Sequence, residues 1–396
     1  MSKYLNAVRG KQHVFMTILF IVVMAISGCS TNEETMRQLD VYVNKLVNDN
    51  KTIHNAVLLV ETPEFKWKGA AGLANPGEKI EMLPDDQFFI ASTAKMMTST
   101  IVMKLVEEGK VDLDAKIKDY LSDSLIEGLH RLNGKSYGEL ITVRQVLNHT
   151  TGIPDNWAHK EFMQSIFTHP DKLWQPEELV LYVNNNMTPH FIPGEKMKYS
   201  DTNYNLAGLI IESVSGKTLQ EISRKLLFDP LGMNHTYRQF REPNRESIKG
   251  REPSHSFFGE TDYTFVRSLS ADWGGGGLQS TTEDLNKFIR AFVRDEIFKN
   301  PGTKKQMMEW INWTSEMTYY GLGIMRVVFS GSGQDEHLGE IWGHSGASGA
   351  FMFYWPLKDV TICGTINQVN EEHMIPEILI DVMKIVNKEY KKSKSA

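Results

Sequence analysis

Cysteine is almost missing from this chain: 396 residues hold two, Cys29 and Cys363, too few for a disulfide framework. Equally absent is any cluster of Lys and Arg interleaved with aromatics. With a formal net charge of -6, that excludes the electrostatic footprint of a nucleic-acid surface. There is no His-Glu-x-x-His and no cysteine pair, so nothing supports a zinc site, and no metal or cofactor is expected. No internal repeat is visible, which excludes a solenoid. The apolar run from Val14 to Ile26 is too short to span a bilayer comfortably as a mature helix.

What is present is enough apolar matter for a large core. At 41% hydrophobic and 10% aromatic residues, the chain can fold as one big domain or two, and disorder is not expected. Lys3, Arg9 and Lys11 precede the Val14 to Ile26 run, the order of a signal peptide. The run ends in Ile26-Ser27-Gly28-Cys29, which resembles the lipobox of bacterial lipoproteins. That resemblance implies removal of residues 1–28, a lipid on Cys29, a short polar tether over 29–35, and an exported protein anchored to a membrane of the bacterial cell envelope. Loss of three basic residues and no acid takes the charge from -6 to -9. Cys363, in the β-like run Val360 to Gly364, reads as a small buried hydrophobe.

Met36, Leu39, Val43, Leu46 and Val47 recur at helical spacing, so an amphipathic helix follows the tether. Ala56 to Glu61 and Phe65 to Ala71 read as strands joined around Pro63, and an almost wholly apolar helix opens at Ser92 and stops at Gly109. From about 111 to 284, helical segments alternate with long loops punctuated by Pro and Gly. Strand signals return at Tyr320 to Phe329, Gly349 to Trp355 and Val360 to Ile366, before a long helix from Glu371 to Tyr390 and a Lys-rich tail. The expectation is one catalytic domain over 36–396 with an α/β (α+β) fold. Its mainly antiparallel sheet comes from the N- and C-terminal parts, is flanked by helices, and carries an inserted helical subdomain.

Ser92 and Lys95 stand three apart where that central helix begins, so one helix face can hold a hydroxyl beside an amine. A serine hydroxyl is a poor nucleophile until a base takes its proton, and the pair suggests acyl-enzyme chemistry. Alone, the spacing recurs by chance in long chains. Three further segments add weight: Ile141 to Ile153, containing Leu147-Asn148-His149-Thr150-Thr151-Gly152; Tyr199-Ser200-Asp201; and Gly343-His344-Ser345-Gly346. Together with Ser92 and Lys95, these resemble, in order and spacing from about Asn55 to Asn367, the serine β-lactamase-like family. That family includes class C β-lactamases, D-alanyl-D-alanine carboxypeptidases, D-aminopeptidases and family VIII esterases.

The resemblance implies Ser92 as nucleophile, Lys95 and Tyr199 as its proton-handling partners, and Asp201, His344, Ser345, Gly346 and Ala347 at the substrate. Which of Lys95 and Tyr199 is the principal base stays open. The oxyanion donors would be the N–H groups of Ser92 and of Ala347 or Ser348, on the strand just after Gly346, whose edge Gly346 and Gly349 would open to substrate. Two positions depart from the pattern. Asp201 replaces the usual Asn, can only accept when ionised, and has a competing reading as a helix cap. His344 replaces the Lys of β-lactamases, so a steady cation for a substrate carboxylate is lost.

The run Asp272 to Thr281 reads as a structural glycine-rich loop before a helix, and His149 as a buried loop histidine. The expected activity is that of a serine hydrolase working through acyl-Ser92, D-alanyl-D-alanine carboxypeptidase-like or esterase-like on small peptides, amides or esters. A class C-like β-lactamase is the alternative, and a penicillin-binding or scaffold lipoprotein without turnover the alternative of another class.

Overall fold

The computed structural model describes residues 32–245, 250–315, 317–329 and 333–388; the expected signal peptide, Cys29 and the Lys-rich tail lie outside the described residues. The architecture follows from a strand buried on both faces. Strand β1 (Asn55–Glu61) sends Val57 and Leu59 into one apolar core and Ala56, Leu58 and Val60 into a second. Around it forms a nine-stranded sheet. Its other members are β2 (Lys66–Asn75), β3 (Ile80–Glu81), β4 (Ile311–Ser315), β5 (Thr318–Tyr320), β6 (Met325–Val328), β7 (Glu340–Ser345), β8 (Ala350–Trp355) and β9 (Val360–Thr365). The order is β4-β5-β6-β7-β8-β9-β1-β2-β3, antiparallel throughout, with β9 beside β1 pairing Cys363 with Leu59. N- and C-terminal strands thus complete one sheet, and Cys363 is a buried free thiol in it.

Helix α1, residues 32–48, lays Leu39, Val43 and Leu46 on one face of the sheet beside the last helix. Residues 32–35, expected in the tether, are therefore already helical. On the other face α2 (Ala94–Glu107) runs through the larger core and ends at Gly109, whose φ of +68° is the left-handed conformation that stops a helix. Helix α3 (Val143–Leu147), begun by a capping box between Thr142 and Gln145, packs against α4 (Asp201–Ser215), which in turn packs against α2. Helix α5 (Thr282–Val293) covers β1, β8 and β9.

Two expected elements are shorter than the sequence pattern suggests. The expected strand Tyr320 to Phe329 is split, because Gly323 turns at φ +77° against Ser99, Tyr204 and the carbonyl of Lys95, where a side chain would collide. The last helix, α6 (Ile375–Val386), follows a separate turn at Glu372–Met374. Within the 111–284 segment, a short strand at Leu278–Ser280 returns to pair with Phe88–Phe89, immediately before the helix-opening serine. This pairing carries the glycine-rich loop to the N-terminus of α2.

Candidate active site

Ser92 sits in a tight turn, Ala91–Thr93, between the strand Phe88–Phe89 and α2. Ala91 adopts φ +43°, a left-handed conformation costly for a residue with a Cβ, and this bend presents Ser92 at the wall of a cleft of about 440 Å³. Gly346 packs directly on the bend: a Cβ there would collide with the carbonyl of Ile90 and lie 3.1 Å from the backbone nitrogen of Ser92. Gly346 is needed for the turn of the nucleophile. Ala347 and Ser348 line the cleft from the hairpin turn between β7 and β8 rather than from a strand, and the Ser348 hydroxyl donates to the carbonyl of Phe89 at 2.8 Å. Ser345, the last residue of β7, points its hydroxyl at the sulfur of Met325, 3.9 Å away.

Lys95 is wholly buried, and its three N–H donors have three acceptors: Ser92 Oγ at 2.8 Å, the carbonyl of Gly275 at 3.0 Å, and Asp201 Oδ1 in a short ion pair. Burial alone would expel the charge. The neighbouring Asp201 carboxylate, with Tyr199 and Asp272, outweighs that penalty and holds the Lys95 pKa above its ordinary value. The resting amine is therefore an ammonium. Tyr199 lies beside Lys95, whose Nζ is 5.0 Å from the centre of its ring, and burial raises its phenol pKa against the opposing pull of Lys95. Its ring stacks on Trp313, 5.6 Å between centroids and 18° between planes, with His149 at 4.3 Å.

Asp201 lines the cleft, but its Oδ1 is not offered to a substrate amide: it is paired with Lys95. Nor is it a cap: Ser200 occupies that position and Asp201 is the first residue of α4, where a negative charge suits the helix dipole. His344 also departs from its expected place at the substrate. It is 1% exposed, its Nε2 pairs with the Tyr320 hydroxyl at 3.0 Å and its Nδ1 with the carbonyl of Ser345 at 2.7 Å. Burial, with Lys95 nearby, pushes its pKa down to about 3. It is a neutral brace with no donor left for a carboxylate. His149 braces Tyr199 in the same way, accepting from the N–H of Ser200 at 3.2 Å and bonding Tyr320 at 3.3 Å.

The glycine-rich loop, read from sequence as structural, is part of the site. Besides the Gly275 carbonyl on Lys95, the Gly274 carbonyl receives the Thr98 hydroxyl at 2.9 Å, and Asp272 lines the cleft. Asp155, two residues after Ile153, also lines it and accepts the N–H groups of Trp157 at 3.1 Å and Asp201 at 3.4 Å. Neither carboxylate was anticipated. The one local signal was their position beside segments that already matched the motif pattern. Among the described residues no group of three His, Cys, Asp or Glu is arranged to hold a metal ion.

A profile of the beta-lactamase family matches residues 40–380. The chain belongs to the beta-lactamase family of serine hydrolases. Among beta-lactamase family relatives, penicillin-binding protein 4* of Bacillus subtilis (strain 168) is 26% identical over 291 residues, 70% of this chain and 60% of its own length. Protein flp of Staphylococcus aureus is 24% identical over 258 residues, 65% of this chain and 49% of its own. The chain thus spans about half to three fifths of the length of these relatives. Among solved structures, the D-amino acid amidase from Ochrobactrum anthropi SV3 superposes with a TM-score of 0.72 at 23% identity, covering 89% of this chain and 100% of its own. The hydrolase EstCE1, with promiscuous acyltransferase activity, superposes with a TM-score of 0.69 at 18% identity, covering 91% and 99%. These likenesses show the beta-lactamase-like fold.

Proposed function

We propose that this protein hydrolyses small amides or esters through an acyl-Ser92 intermediate, with the Lys95–Asp201 pair as the proton acceptor. The observation that carries this reading is the saturated ammonium of Lys95, held between Ser92 Oγ and the Asp201 carboxylate. Such an amine has no lone pair for the serine proton until it gives up one of its own. Asp201 is the partner that can take it.

Ser92 Oγ attacks the carbonyl carbon as its proton passes to Lys95 and a Lys95 proton passes to Asp201. The carbonyl electron pair moves onto oxygen, which the N–H groups of Ser92 and Ala347 receive. Collapse breaks the bond to the amine or alkoxide, which leaves with a proton returned through Lys95 and the Tyr199 hydroxyl. Water then repeats the sequence at the ester and frees Ser92.

His344, neutral and doubly engaged, offers no cation for a substrate carboxylate, and this weighs for the amidase or esterase direction over a carboxypeptidase-like or β-lactamase one. Residues 1–29 support the further reading that the enzyme is exported and held at a membrane by a lipid on Cys29. The test incubates the full-length chain and Ser92→Ala with p-nitrophenyl butyrate, nitrocefin, fluorescent penicillin and a peptide ending in D-Ala-D-Ala, read by rate and intact mass. Ester turnover with a transient acyl adduct that vanishes in Ser92→Ala is expected. Turnover that survives the substitution refutes the mechanism, and a stable penicillin adduct without any turnover marks a binding protein instead.

A further inference from the structure

We propose that Tyr320 is a positioning residue for the reaction at Ser92: its hydroxyl closes a one-way hydrogen-bond chain, through two histidines of opposite tautomer, that ties the backbone around Tyr199 to the turn carrying Ala347. The proposal rests on the acyl-Ser92 reading and gives that site a further residue. Tyr320 is wholly buried at the end of β5, where pairing of Tyr320 with Met325 and of Met325 with Gly343 sets it beside His344. Its hydroxyl lies 3.3 Å from His149 Nε2 and 3.0 Å from His344 Nε2.

Backbone groups at the two ends fix the direction of every bond. The N–H of Ser200 can only donate, and it points at His149 Nδ1 from 3.2 Å, so that nitrogen carries no proton. The Asn203 amide N–H, its own oxygen occupied by the Thr151 hydroxyl, points at the same atom. Burial and Lys95 keep the His149 ring neutral, so its proton is on Nε2 and is donated to the Tyr320 oxygen. At the other end the carbonyl of Ser345 can only accept, and it lies 2.7 Å from His344 Nδ1, so that nitrogen holds the proton. His344 is neutral as well, which leaves its Nε2 bare and in need of a donor. The one phenolic proton of Tyr320 meets that need, and burial, by raising the phenol pKa, keeps it in place. A phenylalanine here would leave one N–H without an acceptor and one ring nitrogen without a donor, both inside the fold.

Each end of the chain grips backbone that the reaction uses. His149 stands at φ +60°, a conformation that a histidine keeps only when its surroundings demand it. It holds the chain on either side of Tyr199: its carbonyl accepts the N–H of Lys198 at 2.9 Å, and its ring accepts that of Ser200. His344 clamps the Ser345–Gly346 peptide, whose carbonyl takes the His344 proton while its N–H donates to the carbonyl of Ala350 at 2.8 Å. The next residue is Ala347, which supplies an oxyanion N–H in the acyl-Ser92 reading. Tyr320 thus joins the proton-handling side of the site to its oxyanion side through three side chains that are all buried.

The test labels the histidines of the full-length chain isotopically and reads their ring tautomers by long-range proton–nitrogen correlation, with His149→Gln and His344→Asn supplying the assignments. His149 should show the Nε2–H tautomer and His344 the Nδ1–H tautomer. The same tautomer on both rings, or a charged ring at either position, overturns the chain. With p-nitrophenyl butyrate, Tyr320→Phe should lower kcat about tenfold or more while KM stays within about twofold. His344→Asn keeps an amide N–H for the Ser345 carbonyl and removes the bare nitrogen, so it breaks the same Tyr320 bond from the other end. The double variant should therefore stay within about threefold of the slower single variant. Losses that multiply, or a Tyr320→Phe protein at parental kcat whatever its Tm, overturn the positioning role and leave the acyl-Ser92 reading standing. If Tyr320→Phe does not fold, His344→Asn carries the kinetic test, and parental kcat there is the refuting result. Absent turnover in the parent protein refutes the acyl-Ser92 reading and the positioning role with it, while the tautomers still decide the chain.

Discussion

Replacing Lys95 by Met keeps most of the volume of the side chain and removes the cation that Asp201, Ser92 and Gly275 share. Removing one partner of a buried ion pair costs about 3–5 kcal/mol, because the other charge is left without compensation. Asp201→Asn alone strands the Lys95 ammonium and should cost a similar amount. In Lys95→Met/Asp201→Asn neither charge remains, so the loss should be several kcal/mol smaller than the sum of the singles. For a domain of this size 1 kcal/mol is about 1–1.5 °C in Tm, so each single variant should melt about 3–7.5 °C lower, with the double variant recovering much of the loss. The assay is thermal and urea unfolding of all four proteins, with p-nitrophenyl butyrate turnover measured alongside. Stability should return in the double variant while activity stays lost. Strict additivity of the two losses would refute the claim that Lys95 and Asp201 form one charged unit.

Three further outcomes follow from the same geometry. Tyr199→Phe keeps the stack on Trp313 and loses only the hydroxyl, so kcat should fall about 10²–10⁴-fold with Tm moving by about 1 °C or less; a large drop in Tm without a loss of rate would make Tyr199 structural. Gly346→Ala would drive a methyl into the carbonyl of Ile90, so acylation should be lost with a fall in Tm, and a fully active variant would show that the bend at Ser92 can relax. Asp155, pushed up to about 7 by burial and by Asp201, keeps a proton in the fold that the unfolded chain releases near pH 4. It therefore lowers stability as pH rises between about 4 and 7, and Asp155→Asn, measured by Tm against pH, should flatten that fall; parallel curves would contradict it.

Strands β1, β2, β8 and β9, helix α2 and the Ser92–Lys95 pair were legible in the sequence because each depends on local information, whereas β4 and β7 were not. Alternation and apolar runs mark the strands, and a spacing of three on a helix fixes which side chains meet. The role of the glycine-rich loop was not legible. Its contribution to Lys95 is a backbone carbonyl 180 residues away in sequence, and a carbonyl carries no residue signature. His344 was found by its motif, yet its neutral state and inward bonds depend on Tyr320, which joins it only when β5, β6 and β7 pair. Asp155 and Asp272 became visible only as walls of a shared cleft.

The two departures from the resembled pattern turn out to be one electrostatic arrangement. Asn at position 201 and Lys at position 344 would both push the Lys95 amine toward its neutral form, the first by withdrawing an anion and the second by adding a cation nearby. Asp201 and His344 do the reverse: the carboxylate binds the ammonium, and the histidine is held uncharged by burial and by Lys95 itself. Each therefore makes the other tolerable. The same pair of exchanges makes the site two charges more negative. A saturated ammonium requires a carboxylate to accept its proton, and Asp201 is the carboxylate placed to do so.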